Sequence, residues 1–548
     1  MKQLNLILFI ALFTSCSTIN SFAQKQSIDL LIYNAKIYTI DNRFSIVNAL
    51  AINKRKIEAT GDSKVLLAKY SAAKEIDAKG KFIYPGFIDA HTHFYRYGLG
   101  LQTADLVGTT GWEEILQKLQ SFATNNKEGW LIGRGWDQND WDVKEFPSKE
   151  KLDLLFADRP VLLTRIDGHA AIANRKALEI AGLQPGFILS GGQIETKNGK
   201  LTGILIDNAI RLVSSKMPEP TTNQKKEALL DAQQNCFAVG LTSVDDCGLD
   251  FNEVLFIDSM QKAGQLKMRI YAMLSDAADN YTYIFKRGKI KTDYLNVRSF
   301  KVYADGALGS GGAALLHPYS DQPGWTGFLL RTQEHYDSVA SLIAQHDFQM
   351  CTHAIGDSGN RTILKIYAKY LKTKNDKRWR IEHAQVINQN DFSLFGKYNV
   401  IPSVQPTHAT SDMYWAGTRL GTERVKGAYA YKKLLDQNGW MPLGTDFPVE
   451  EISPYKTFYA AVFRIDAKAY PQGGFQVENA LTRQQALKGM TIWAARSNFE
   501  ENEKGSLEKG KFADFIILDK DLLAAPASEV LKTTVLATYV DGEKVWGK

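Results

Sequence analysis

The chain has 548 residues, 44% hydrophobic, 23% charged and 11% aromatic, close to the globular average and without the bias of collagen-like or disordered chains. Single cores stop growing near roughly 250 to 300 residues unless a barrel carries insertions, so one ordinary domain is excluded. The 66 basic and 60 acidic residues leave a net charge of +6 with no block of like charge, which excludes the electrostatic footprint of a nucleic-acid binder.

The first two dozen residues read as a leader. Met1 and Lys2 give a short positive start, and Leu4 to Phe13 is an apolar run broken only by Asn5, the length of a signal core and too short to span a bilayer. This predicts an exported protein, periplasmic or held at the cell envelope as a lipoprotein. Two processing sites stay open. Ser21-Phe22-Ala23 before Gln24 fits ordinary signal cleavage. Phe13-Thr14-Ser15-Cys16 follows the apolar run like a lipobox, although Phe13 stands where leucine is usual, and would make Cys16 a lipidated amino terminus. Lipid on Cys16 is the one membrane attachment expected, since no later apolar stretch reaches about 18 residues. Cleavage after residue 23 removes one lysine and no acid, so the mature charge becomes 6 − 1 = +5. Beyond the leader only Cys236, Cys247 and Cys351 remain. That density is far below disulfide-stapled domains, and free buried cysteines are favoured over a Cys236 to Cys247 bridge.

Residues 24–84 read as strands, with Ile28 to Ile40 and Leu50 to Ile57 dense in β-formers. The tail, 491–548, reads the same way at 513–518 and 535–540, the latter turning at Asp541-Gly542 into a hairpin. Each end is thin for a core of its own, so both are expected to build one small β-sandwich. The middle, 85–490, alternates apolar runs with helical stretches: Val161 to Leu163, Ser299 to Tyr303, Gln349 to His353, Trp379 to Glu382, Val400 to Val404 and Met441 to Leu443. The fold class expected is α/β, a (β/α)8 TIM-type barrel with a tryptophan-rich and glycine-rich insertion over 94–220.

The chemistry sits where those runs end. The strand Ile83 to His93 delivers His91 and His93 at i and i+2, on one face by side-chain alternation, and two such imidazoles suit a borderline metal. An isolated pair of this kind would read as strand-end histidines satisfied by hydrogen bonds. His353 and His383 likewise follow short apolar runs.

The strings PGFIDAHTHF, KVYADGALGSGGAAL, CTHAIGD, RIEHAQ and MPLGTDFPVE, with the tail GSLEKGKFADFIILDKDL, resemble the amidohydrolase superfamily. Within it they resemble amidohydrolase family 3, the branch that includes N-substituted formamide deformylase. The resemblance covers roughly residues 28–548. It implies metal ligands at His91 and His93 from the first barrel strand, His353 and His383 from the fifth and sixth, and Asp446 from the eighth. Lys301 falls where binuclear members carry a carbamylated lysine. The alternative is a lysine paired with an acid such as Asp305, beside a mononuclear site. One or two divalent cations, zinc first, are implied, with Asp446 as general base for water attacking a carbonyl. Asp167-Gly168-His169 resembles a family segment and makes His169 a catalytic candidate for a substrate or oxyanion contact. Gly306 to Gly312 reads as a mobile loop at the site mouth, not a phosphate loop. Trp136, Trp141, Tyr414 and Trp415 could line a pocket or fill a core, and His408 could reach the rim.

The function expected is hydrolysis of a small non-peptide amide of N-formyl or N-acyl type. Alternatives are cyclic amides, amines or esters on the same fold, or a non-catalytic metal-binding envelope protein. Small-molecule substrate, no nucleic acid and an open question of homo-oligomerisation complete the expectation.

Overall fold

The computed structural model describes residues 24–373 and 375–547. The leader reading of residues 1–23, Cys16 included, lies outside the described residues. Among those described, no helix is long and apolar enough to cross a membrane, and Cys236, Cys247 and Cys351 are free and buried.

Seven parallel strands form the central sheet: β1 (Phe87–Thr92), β2 (Leu241–Leu249), β3 (Arg269–Ser275), β4 (Leu295–Tyr303), β5 (Gln349–Ala354), β6 (Arg380–His383) and β7 (Ile401–Ser403). Every residue of β1, β2, β5, β6 and β7 is buried, as strands covered on both faces must be. Helices lie between them. Thr222–Ala238 and Phe251–Lys262 each start on a capping box, Thr221 with Gln224 and Asp250 with Glu253, which satisfies two orphan amides at each start.

The eighth position is filled by residues 441–446, which form no regular strand. Gly444 N donates to Val404 O at 3.0 Å on one side, and Ala90 N to Leu443 O at 3.2 Å and Asp446 N to His91 O at 2.8 Å on the other. Asp89 reinforces the seam by accepting from Thr445 N at 2.9 Å and Thr445 Oγ1 at 2.7 Å. The barrel closes through this segment, its β1 side bonded where sequence alone suggests an ordinary strand.

Val161 to Leu163, expected in the barrel, lies outside it, in the strand Val161–Arg165. It belongs to a separate six-stranded sheet in the order Gly192–Lys197, Lys200–Asp207, Ala170–Ala173, Val161–Arg165, Leu131–Trp136, Ala104–Asp105. Trp136 and Trp141 fill the core of that unit, with ring centroids 6.0 Å apart, and do not line the cavity at the barrel mouth.

Both chain ends share one sheet. Phe515–Leu518 pairs antiparallel with Phe82–Pro85 and with Val535–Val540, and a four-stranded sheet of N-terminal strands packs on it through Leu30, Ile32, Leu50, Ile83, Phe515 and Ile517. Asp541 and Gly542 both take positive φ, 56° and 75°, as a two-residue type I′ turn requires. Between barrel and sandwich strands, Ile492–Ser497 is a helix whose Ala494 and Ala495 pack on Ile88 and Ala90 of β1.

Candidate metal centre

The C-terminal ends of the strands bring the candidate residues together. The rings of His91 and His383 have centroids 4.7 Å apart, and those of His353 and His383 4.6 Å. His91, His383 and Asp446 each offer one ligand atom within 4.8 Å of the others. His93 joins through Nε2, 3.3 Å from Asp446 Oδ1. Two of these residues hold the left-handed backbone, with φ of 71° at His383 and 65° at Asp446. Such conformations cost about 1 to 3 kcal/mol each and persist where the surroundings enforce them.

Hydrogen bonds fix which nitrogen of each imidazole is free. His91 Nδ1 donates to Glu382 Oε2 at 2.6 Å, His93 Nδ1 to Cys247 O at 3.1 Å, and His383 Nδ1 to Gln405 Oε1 at 2.7 Å. Each therefore turns an Nε2 lone pair inward, the arrangement that outer partners impose on metal-ligating histidines. His353 is reversed: Nε2 donates to Gly306 O at 3.4 Å, leaving Nδ1 free. Burial is the main force holding all four neutral, with His93 pushed down to about 4 and His353 and His383 well below the ordinary range.

Asp446 faces these lone pairs. Burial opposes its ionisation, whereas the hydrogen bond from His408 favours the carboxylate, and the group stays well below the usual carboxylate range. His408 is itself held far above its ordinary value, because Asp446 and Glu450 outweigh its burial. As an imidazolium it bridges Asp446 Oδ2 at 3.3 Å and Glu450 Oε1 at 3.1 Å. Asp446 Oδ1 is then left buried without a hydrogen-bond donor, 3.6 Å from His91 Nε2 and 3.3 Å from His93 Nε2. Acceptors facing acceptors at such distances call for a cation between them, and imidazole with carboxylate is a donor set suited to zinc.

Lys301 lies in the same cluster, its side chain buried, and its Nζ donates to His91 Nε2 at 3.0 Å. The pairing with Asp305 does not occur. Asp305 instead accepts from the amides of Ala314, Ile355 and Gly356 at 2.8 to 3.0 Å, and among the described residues no carboxylate lies within 4 Å of Nζ. Burial favours a neutral amine here, but Cys247, Tyr303, Glu382 and Asp446 outweigh it and favour the ammonium.

The insertion closes over this cluster and walls a cavity of about 780 Å³. His169 enters from the turn after Val161–Arg165, with Nδ1 donating to Asp207 Oδ1 at 2.5 Å and its ring 5.0 Å from that of His353. The segment Gly306 to Gly312 is buried, contributes Ala307, Leu308 and Gly309 to the cavity lining and packs closely on Asp207. A Cβ on Gly306 or Gly312 would come within 2.3 or 2.4 Å of Asp207 Oδ2. Trp415 lines the cavity, whereas Tyr414 is exposed and bonds to Asp466.

Sequence reasoning missed Glu382 and Gln405 as the groups that orient His91 and His383, and left His408 at the rim. Glu382 immediately precedes His383, where strand alternation places neighbours on opposite faces. The positive φ of His383 breaks that alternation and lets both reach inward.

Inward lone pairs on parallel barrel strands, a buried carboxylate among them and a walled cavity at the C-terminal face define the class as a metal-dependent hydrolase barrel. Comparison with known proteins narrows this. The chain belongs to the amidohydrolase family, whose pattern matches residues 74–546, and like that family it is a metal-dependent hydrolase of carbon–nitrogen bonds in small molecules. It is 32% identical to the protein LONG AFTER FAR-RED 3 of Arabidopsis thaliana, over 97% of this chain and 94% of that one. It is 29% identical to YtcJ of Bacillus subtilis strain 168, over 93% and 98%, and 25% identical to the N-substituted formamide deformylase of Arthrobacter pascens, over 94% and 97%. Among solved structures, an uncharacterized metal-dependent hydrolase from Pyrococcus horikoshii superposes with a TM-score of 0.75 at 28% identity, covering 91% of this chain and 99% of that one.

Proposed function

We propose that the chain hydrolyses small non-peptide amides of N-formyl or N-acyl type, with Asp446 as general base and zinc, one or two ions, as the cofactor. The observation that carries this is the buried Asp446 Oδ1, which has no hydrogen-bond donor and faces the Nε2 lone pairs of His91 and His93. The formamide deformylase among the relatives supports the N-formyl choice.

His91, His93, His353, His383, Asp446 and a carbamylated Lys301 would hold the cation. When bound, it lowers the pKa of water toward about 7 and polarises a carbonyl. The upward shift of Lys301 belongs to the cluster alone; a divalent charge in the same cavity would favour the neutral amine, the form that takes up carbon dioxide. Asp446 Oδ1 takes the proton of the attacking water and returns it to the leaving nitrogen. His408 holds Oδ2 and so fixes the angle of the carboxylate. His169, anchored on Asp207, would meet the substrate carbonyl from the insertion side.

The test is metal analysis with turnover of formanilide, a simple N-formyl amine. Activity should vanish on chelation and return with zinc at one or two ions per chain; full turnover by metal-free protein would remove the reading. Cyclic amides and esters assayed in parallel separate the other bond classes.

We also propose export, which rests on the leader-like residues 1–23. Fractionation of cells carrying the full chain should find it in the envelope, and Cys16→Ala should release it from the membrane fraction if Cys16 carries the lipid.

A further inference from the structure

Arg134 stands on the cavity wall and makes no ion pair with a side chain among the described residues. It belongs to the insertion strand Leu131–Trp136, which no part of the hydrolytic chemistry requires. Its Nη2 donates to Ile166 O at 2.7 Å, which fixes the side chain. Its Nε is buried with no hydrogen-bond partner, and among the described residues no carboxylate lies within 4 Å of the guanidinium.

The neighbouring Arg165 shows the contrast. Its Nε donates to Gln138 Oε1 at 2.8 Å, its Nη1 to Asp167 at 2.5 Å and its Nη2 to Asp137. Asp137 and Asp167 are thereby both turned toward Arg165, and neither makes a hydrogen bond or ion pair to Arg134. Gly168 lies beside Arg134 Nη1, where a Cβ would stand at van der Waals contact, 3.7 Å away. Arg134 is half-buried with no carboxylate in contact, and the planar donors of a guanidinium match a carboxylate edge-on.

We propose that Arg134 is a specificity residue that binds a carboxylate on the substrate, so that the preferred substrates are amides bearing one free carboxylate. This rests on the amide-hydrolase reading of the same cavity. A single negative charge fits better than a phosphate dianion. One donor of Arg134 is already committed to Ile166, and Asp140, Asp446 and Glu450 line the same space, so a second charge would meet repulsion.

The experiment uses the zinc-loaded full chain and two pairs of probes. Formanilide and 4-formamidobenzoate differ in the carboxylate and report turnover. Benzoate and benzamide cannot be formyl donors and report binding by calorimetry. The wild type should bind benzoate at least about tenfold more tightly than benzamide, and Arg134→Gln should abolish that preference with zinc content unchanged. The same substitution should lower kcat/KM for 4-formamidobenzoate about 100-fold while formanilide stays within about threefold, and Arg134→Lys should restore part of the loss. Equal binding of benzoate and benzamide by the wild type overturns the proposal. So does benzoate binding that survives Arg134→Gln, which would mark ligation by the metal, or an equal fall for both formamides. If no formamide turns over, the amide reading fails, and the benzoate comparison still decides the role of Arg134.

Discussion

Asp446 has one oxygen satisfied and one exposed to lone pairs, and that asymmetry sets what substitution there should do. Asp446→Asn keeps the size and lets an amide accept from His408, but it removes both the negative charge and the base. Turnover of an N-formyl amine should fall about 10²- to 10⁴-fold, the usual worth of a positioned acid or base, with metal content lowered as well. A variant within tenfold of wild type would show that the proton is handled elsewhere. Glu382 acts one step further out. It touches only His91 at hydrogen-bond distance, through Nδ1 at 2.6 Å, so Glu382→Gln should weaken zinc binding about 10- to 100-fold without removing a ligand. Competition against a chromogenic chelator measures this directly, and an unchanged affinity would reduce Glu382 to a packing role.

At the scale of elements, what the sequence made legible was the set of apolar runs buried on both faces: β4 to β7 stand where those runs occur, and His91 and His93 share a face as alternation demands. Val161 to Leu163 is just as apolar, but hydrophobic pattern reports burial and cannot say in which sheet a strand is buried. Glu382 stayed hidden because its partner His91 lies 291 residues away and because His383 departs from strand geometry. The join between barrel and sandwich was equally invisible. Arg269, the first residue of β3, sends Nε to Asp514 Oδ2 and Nη2 to Asp541 Oδ1, both at 2.6 Å, and all three side chains are buried. Removing one member of such a cluster leaves uncompensated charge and costs about 3 to 5 kcal/mol. Arg269→Met should lower stability by that amount in urea unfolding, whereas a loss under about 1 kcal/mol would mean that the interface rests on its apolar contacts.

Across the whole molecule, the seam at residues 441–446 gives the cation a second task. The neighbouring strands β4 and β5 are paired over Ser299 to Tyr303, yet the seam has a short bridge at Val404 and Leu443 and a few amide bonds to β1. Asp446 ends that segment and faces His91 of the first strand and His93 just beyond its end, together with His383 of the sixth. A cation held by these side chains would tie the last segment to the first and complete the ring. Chelation should therefore loosen the seam more than the rest. Hydrogen exchange at the amides of Ala90, Gly444 and Asp446, which donate across it, should speed up by at least about tenfold without metal, while amides of the β4 to β5 ladder change little. A uniform acceleration would assign the metal a global stabilising role, and no change at the three amides would show that the seam closes without it.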